Sequence, residues 1–262
     1  MKSVLITGAK GYIGSSLEAG LKDKFEVTTL DRDILELSDS NAVQSYFEDK
    51  YFDVVLHCAA VGGSRLKKDT PKVLDNNLSA YYNLVNNCNS FGKFINFGSG
   101  AEFIARDTYY GLSKHVINSS ILGRSLFYNV RIFAVFDENE VDTRFIKTNI
   151  KKYLNKEPLT IFSNKMMDFF YMEDLVRLVQ YYITEDKLPK EFDCSYRSAP
   201  TLLDLAQIIN QLDAHIVNVS CEAQQQEDYC GTYRELPVDF LGLEEGIART
   251  YAKLKKRHYN NI

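Results

Sequence analysis

Two periodicities alternate through the first half of this chain. Short apolar runs at Ser3–Thr7, Phe25–Leu30, Asp53–His57, Lys93–Phe97 and Asn129–Ala134 are separated by segments with helical spacing at Tyr12–Leu21, Ser40–Glu48, Pro71–Cys88 and Tyr109–Phe127. Strands that are apolar along their whole length are covered on both faces. Joined by helices, they build a parallel sheet, and right-handed crossovers place helices on both sides of it. The expected fold is α/β, a doubly wound parallel Rossmann-like sheet. The second half is less regular. Helices are expected over Thr143–Leu154, Asp174–Thr184, Thr201–Gln211 (with Thr201 as the cap after Pro200) and Leu243–Arg257. Val217–Pro237 reads as loop and edge strand.

The first strand runs into Thr7-Gly8-Ala9-Lys10-Gly11-Tyr12-Ile13-Gly14 at the start of the first helix. Each glycine of this G-x-x-G-x-x-G has a task. Gly8 permits the tight turn, Gly11 removes a Cβ from the path of a pyrophosphate, and Gly14 lets helix and strand pack closely. The free N–H groups at the helix start then face the phosphates. A strand before the glycines and a helix after them is the context that makes such a pattern informative. The expected ligand is a dinucleotide held by Gly8, Gly11, Tyr12, Ile13 and Gly14. Asp31 ends the second strand about 20 residues further on, where an acid accepts ribose hydroxyls and repels a 2′-phosphate. That favours NAD. Arg32 beside it suits stacking on adenine or a 2′-phosphate, so NADP remains open. Residues 1–135 are thus assigned to a dinucleotide-binding domain. Residues 136–262 are assigned mainly to a small C-terminal substrate lobe, with Met166–Tyr182 returning to the first domain.

Composition narrows the function. The net charge is -4, and no basic arm stands out, which argues against a nucleic-acid partner. No apolar run approaches the roughly 18–20 residues that span a bilayer, and Val4-Leu5-Ile6 is too short for a secretory signal. Five scattered cysteines without a C-x-x-C pair point to free thiols in a cytoplasmic protein. His57 at a strand end beside apolar neighbours reads as a core or turn histidine, His115 as structural, and His215 and His258 have no Cys or carboxylate at ligand spacing, so no metal site is expected.

Tyr110-Gly111-Leu112-Ser113-Lys114 opens a helix after the fourth strand. The i,i+4 spacing puts the phenol and the ammonium on one face. A nearby cation favours the phenolate, so such a tyrosine can pass a proton to or from a ketone or alcohol.

Together these stretches resemble the extended short-chain dehydrogenase/reductase family, in its nucleotide-sugar-modifying branch. The resemblance covers nearly the whole chain. It is carried by Thr7–Gly14, Leu56–Ala60, Asn77, Phe97–Ala101, Tyr110 with Lys114, Asp168–Asp174 and Gly246-Ile247. Arg32–Asp39 and Ala59–Gly63 are similar to its reductase end, of the GDP-fucose synthase and dTDP-rhamnose synthase type. The resemblance implies that Ser99 hydrogen-bonds the reacting sugar oxygen and that Tyr110 is the acid/base. Lys114 would hold the nicotinamide ribose and lower the Tyr110 pKa. Ala59 and Ala60 would line the cofactor, Glu36 and Leu37 would lie near the adenine, and Asn77 would support the site. Asp168 and Asp174 match structural positions. A homodimer through Pro71–Cys88 and Tyr109–Phe127 is also implied, with Val85, Ile117 and Ile121 available either to it or, equally, to the core of the chain.

The departures are informative. Family dehydratases carry an Asp-Glu pair where this chain has Gly100 and Ala101. Glu102 falls one position later, where it would point elsewhere. The cysteine and histidine used for 3,5-epimerisation are missing at Ala101 and near Thr143-Arg144-Phe145. Ala134 stands where the family often has a substrate-binding Asn, and Asp137 where it has Gly. Arg144, Lys165 and Arg234 are candidate partners for a substrate pyrophosphate but read more readily as surface cations. What remains is hydride chemistry at one carbon: reduction or epimerisation at C4 of a nucleotide-activated 4-keto-6-deoxy sugar, with NAD or NADP. The rival reading is a catalytically idle NAD(P)-binding sensor or partner subunit.

Overall fold

In a computed structural model, residues 1–64, 67–222 and 226–259 are described. The chain divides into two compact units, one of residues 1–132 and 179–192, the other of residues 133–178 and 193–262.

The first unit is built on a six-stranded sheet of order β2-β1-β3-β4-β5-β9. Its strands are β1 (Ser3–Thr7), β2 (Glu26–Leu30), β3 (Phe52–His57), β4 (Phe91–Ser99), β5 (Phe127–Ile132) and β9 (Glu191–Asp193). Adjacent strands from β2 through β5 pair in parallel. Val4, Leu5 and Ile6 are all fully buried, as a strand covered on both faces requires. The helices between the strands are α1 (Tyr12–Leu21), α2 (Ser40–Phe47), α3 (Pro71–Asn86), the single turn α4 (Ala101–Ile104) and α5 (Tyr109–Leu122). Local chemistry fixes their starts. Asp39 caps α2 by accepting the N–H groups of Asn41 and Ala42, Pro71 occupies the first turn of α3, and Thr108 caps α5 by accepting the Gly111 N–H at 3.0 Å.

Val85, Ile117 and Ile121 are at most 4% exposed and belong to the core of this unit. Of the two roles open to them, a dimer face or the core, they fill the core. Helix α5 also ends five residues earlier than its periodicity suggests. Gly123 caps it, Leu126 takes a left-handed φ of 58°, and Phe127 becomes the first residue of β5. Strand β9 has three residues, too few to show a period, and was not anticipated.

The second unit contains β6 (Val135–Phe136) paired with β8 (Phe170–Tyr171), and β7 (Leu159–Ile161) paired with β10 (Val219–Cys221). Its helices are α6 (Phe145–Leu154), the first part of α7 (Met172–Thr184), α8 (Leu202–Asn210) and α9 (Leu243–Tyr259). Thr201 and Asp204 form a reciprocal capping box on α8. Phe136, Ile146, Ile150, Leu205, Ile209 and Ile247 centre its core. Asp174 accepts the N–H groups of Leu241 and Gly242 and the Tyr196 hydroxyl, anchoring the approach to α9. The last carbonyls of α7 lie in the first unit. There buried Lys93 donates to Tyr182 O at 2.9 Å and Glu185 O at 2.5 Å, closing the helix end with a cation.

Candidate active site

The sheet order reverses between β1 and β3, and loops at the carboxyl ends of strands flanking such a switch form the binding crevice of open α/β sheets. The Gly8 turn follows β1, and Ala59 lies just beyond β3. Gly8 has a φ of +69°, and a Cβ there would sit 2.7 Å from Ala59 N and Cα. A Cβ on Gly14 would lie 2.4 Å from Gly8 O. Both positions therefore require glycine for close packing. Gly11 is different: a Cβ there would meet only Gly8 O, at 3.2 Å. It is the N-cap of α1 and brings no side chain to the helix start. The N-cap position thus brings no side chain to the first-turn N–H groups of α1 and leaves room for an anion. The cradle fits a dinucleotide pyrophosphate.

Asp31 at the end of β2 accepts the Asp33 N–H at 2.7 Å and pairs with Lys10 at 3.1 Å. Lys10 also bonds the Asp33 carboxylate. The lysine ammonium holds the Asp31 carboxyl below its ordinary pKa. The sequence reading weighed Arg32 against Asp31 and missed Lys10, a cation supplied by the glycine turn itself. Arg32 and Ala60 are exposed, while Tyr12, Ile13 and Ala59 are half-buried. Glu36 accepts the Ser38 N–H and hydroxyl, and the Leu37 side chain is buried in the core.

Ser99 closes β4, and Tyr110 and Lys114 lie one turn apart on α5. Lys114 is 5% exposed, and its Nζ donates to Phe97 O at 2.7 Å, two residues before Ser99. The same Nζ is 5.7 Å from the centre of the Tyr110 ring. The ammonium therefore ties the face carrying Tyr110 to the strand carrying Ser99. Burial pulls the Lys114 pKa down to about 8, against attraction by Glu102 and Cys58. Gly111, inside the Y-x-x-x-K spacing, is needed because a Cβ there would collide with the Ala105 carbonyl. The loop after β3 lies on the Tyr110 ring: Gly62 and Gly63 have φ of +89° and +71°, and a Cβ on Gly63 would sit 2.8 Å from that ring. Asn77 holds this loop by accepting the Val61 N–H at 2.8 Å and donating to Val61 O at 3.0 Å. It also donates to Ser113 Oγ, whose hydroxyl donates to Tyr110 O.

Glu102 departs from expectation. It is fully buried, and its carboxylate turns back beneath β4 to accept the Ser99 N–H at 2.9 Å. His57 has the core role expected of it. It shares a 3.0 Å hydrogen bond with Thr7 Oγ1, packs near Tyr81 and Phe94, and is pushed by burial down to about 3.

Residues 4–194 match the model of the NAD dependent epimerase/dehydratase family. The chain belongs to that family. It is an NAD(P)-dependent enzyme of the extended short-chain dehydrogenase type. Among curated proteins, it is similar to CDP-abequose synthase of Yersinia pseudotuberculosis, with 24% identity over 70% of this chain and 74% of that one. The fold is shared with a dTDP-4-dehydrorhamnose reductase of Clostridium acetobutylicum (TM-score 0.72, 23% identity, 84% of each chain). It is shared also with a GDP-D-glycero-L-gluco-heptose synthase of Campylobacter jejuni (TM-score 0.79, 13% identity, 97% of this chain and 98% of that one). Among the described residues no helix is long and apolar enough to cross a membrane, and no group of His, Cys, Asp and Glu is arranged to hold a metal ion.

Proposed function

We propose that this enzyme reduces or epimerises a nucleotide-activated 4-keto-6-deoxy sugar at C4, with Tyr110 as proton donor and acceptor. The observation that carries the reading is the Lys114 ammonium, bonded to β4 two residues before Ser99 and 5.7 Å from the Tyr110 ring. A binding module has no use for a buried cation in that place. When bound, the nicotinamide supplies or takes up the hydride. Ser99 donates a hydrogen bond to the sugar C4 oxygen. In the reductive direction the Tyr110 phenol gives its proton to that oxygen as the carbon becomes tetrahedral, and the resulting phenolate is stabilised by Lys114. In the oxidative direction the same groups act in reverse. Lys114 also binds the cofactor ribose, the glycine turn holds the pyrophosphate, and Asp31 faces the adenosine ribose.

The absence of an acid pair at Gly100 and Ala101 supports hydride chemistry without dehydration. The names of the relatives support the substrate class: the similar proteins include a CDP-abequose synthase and a dTDP-4-dehydrorhamnose reductase. The second unit is assigned to selection of the sugar nucleotide.

The test is a panel of 4-keto nucleotide sugars with NADH and NADPH, followed at the nicotinamide absorbance. A reductase consumes cofactor with each turnover, whereas a 4-epimerase interconverts sugars with no net change. Tyr110→Phe is expected to abolish turnover and leave cofactor binding within about twofold, because the phenol acts on the sugar. Full activity in that variant overturns the assignment.

A further inference from the structure

The Ser99 end of β4 rests on a buried polar cluster with a consistent order. Glu102 on α4 accepts the Ser99 N–H at 2.9 Å and the Arg131 Nε–H at 2.9 Å, and receives the Asn129 side-chain amide on both oxygens. Arg131 also donates to Glu191 at 2.5 Å. Glu102 and Arg131 are 0% and 3% exposed. A charge so deeply buried is costly unless its partners are fixed, so this arrangement is specified rather than incidental. The strand has made room for it. A Cβ on Gly98 would lie 2.2 Å from Glu102 Oε1 and 2.7 Å from the Asn129 amide. Serine and carboxylate are thus built as one unit: glycine at 98, hydroxyl at 99, acid at 102.

The same carboxylate lies beside the Lys114 anchor: Glu102 accepts the Ser99 N–H and Lys114 donates to the Phe97 carbonyl, two residues apart on β4. Of the acidic groups near that ammonium, Glu102 attracts it most. Burial drives the Cys58 thiol far up, so it stays neutral, and His57 on β3 is held neutral by burial as well. That leaves the Glu102 carboxylate as the group attracting Lys114, its pull partly offset by its own pairing with Arg131.

Resting on the proposed roles of Ser99 and Lys114, we propose that Glu102 is a positioning residue: its carboxylate fixes the Ser99 end of β4 and supplies the negative charge that balances the Lys114 ammonium. One residue thereby couples the hydrogen-bond donor for the sugar oxygen to the cation that supports Tyr110.

The experiment needs neither cofactor nor substrate. Full-length protein labelled at lysine 13Cε is titrated by NMR, with the Lys114 signal assigned through Lys114→Arg, and Ser99 amide exchange is measured alongside. In Glu102→Gln, which keeps the shape and removes the charge, the Lys114 midpoint is expected to fall by about one pH unit. In Glu102→Asp, which keeps the charge on a shorter arm, the Ser99 amide is expected to exchange at least about tenfold faster. Its Lys114 midpoint should stay above that of Glu102→Gln. A folded Glu102→Gln with an unchanged Lys114 midpoint overturns the charge role. Unchanged Ser99 protection in Glu102→Asp overturns the positioning role, and it decides alone if Glu102→Gln does not fold. These readouts do not depend on turnover, so their failure is separate from failure of the Tyr110→Phe test.

Discussion

The Lys114 ammonium donates to the Phe97 carbonyl at 2.7 Å, deep in the first unit, where side-chain entropy and desolvation both oppose a charged group. Its pKa is pulled down to about 8 by that burial. The buried cation is thus kept at a cost in stability, which is how a functional charge differs from a structural one. In the proposed mechanism the protonated form is the active one. Activity should therefore fall as pH rises through about 8, giving a basic limb in the pH profile. Lys114→Met removes the charge at every pH. It is expected to lower turnover at least about 100-fold while raising the thermal midpoint at pH 7. A variant that is both inactive and less stable argues that Lys114 is a structural tie.

Lys10 is the second cation to examine. Its pairing with Asp31 and Asp33 offsets the negative charge at the end of β2, where the adenosine ribose is expected. The pair is largely solvated, so its energy is modest. Lys10→Ala should lower affinity for NADPH relative to NADH by about fivefold. Binding curves for both cofactors, read from quenching of tyrosine fluorescence, measure this ratio. An unchanged ratio removes Lys10 from cofactor selection.

Gly98 tests the packing beneath Ser99. Alanine there places its Cβ 2.2 Å from Glu102 Oε1 and 2.7 Å from both Asn129 amide atoms. The network is buried and cannot retreat into solvent, so Gly98→Ala is expected to cost about 1–3 kcal/mol. Urea unfolding of the variant reads this directly. A change below about 0.5 kcal/mol means that the carboxylate can move aside at no penalty.

These residues show why some of the site is readable in sequence and some is not. Gly8, Gly11 and Gly14 sit in one turn, and Tyr110 and Lys114 in one helical turn, so local spacing carries them. The strands of β1 and β3 carry their burial in unbroken apolar runs. Glu102 could not be read this way. Its side-chain partners Asn129 and Arg131 lie 27 and 29 residues away, and only the parallel pairing of β4 with β5 brings them beneath Ser99. The available hint was Gly98 before the serine, a residue with no turn to make and therefore a packing task. Lys10 was missed because its partners, Asp31 and Asp33, come from the segment after β2, not from the turn it belongs to. Phe127 was misassigned because a helix face and the first residue of a buried strand are equally apolar.

The second unit sets the stability profile near neutral pH. Burial raises Glu140 from 4.5 to about 8 and Asp168 from 3.8 to about 6, although each accepts a backbone N–H, from Lys147 and Gly231. In each case the folded state keeps a proton that the unfolded chain has released. Their contribution is present at low pH and is lost as pH rises through about 4 to 8. Asp142 works in the other direction. Ion pairs with Lys147 and Lys151 hold it down to about 2, so its contribution is lost only as pH falls below about 4. His57, held neutral by burial, also opposes Glu140 and Asp168 as pH falls below about 6.5, but only its part between about 6.5 and 5 enters the comparison, so the urea midpoint should be lower at pH 8 than at pH 5. Glu140→Gln keeps an acceptor for the Lys147 N–H without an ionisable proton. It should raise the midpoint at pH 8, leave it nearly unchanged at pH 5, and so flatten the profile. Equal wild-type midpoints at the two pH values rule out a buried, proton-retaining Glu140.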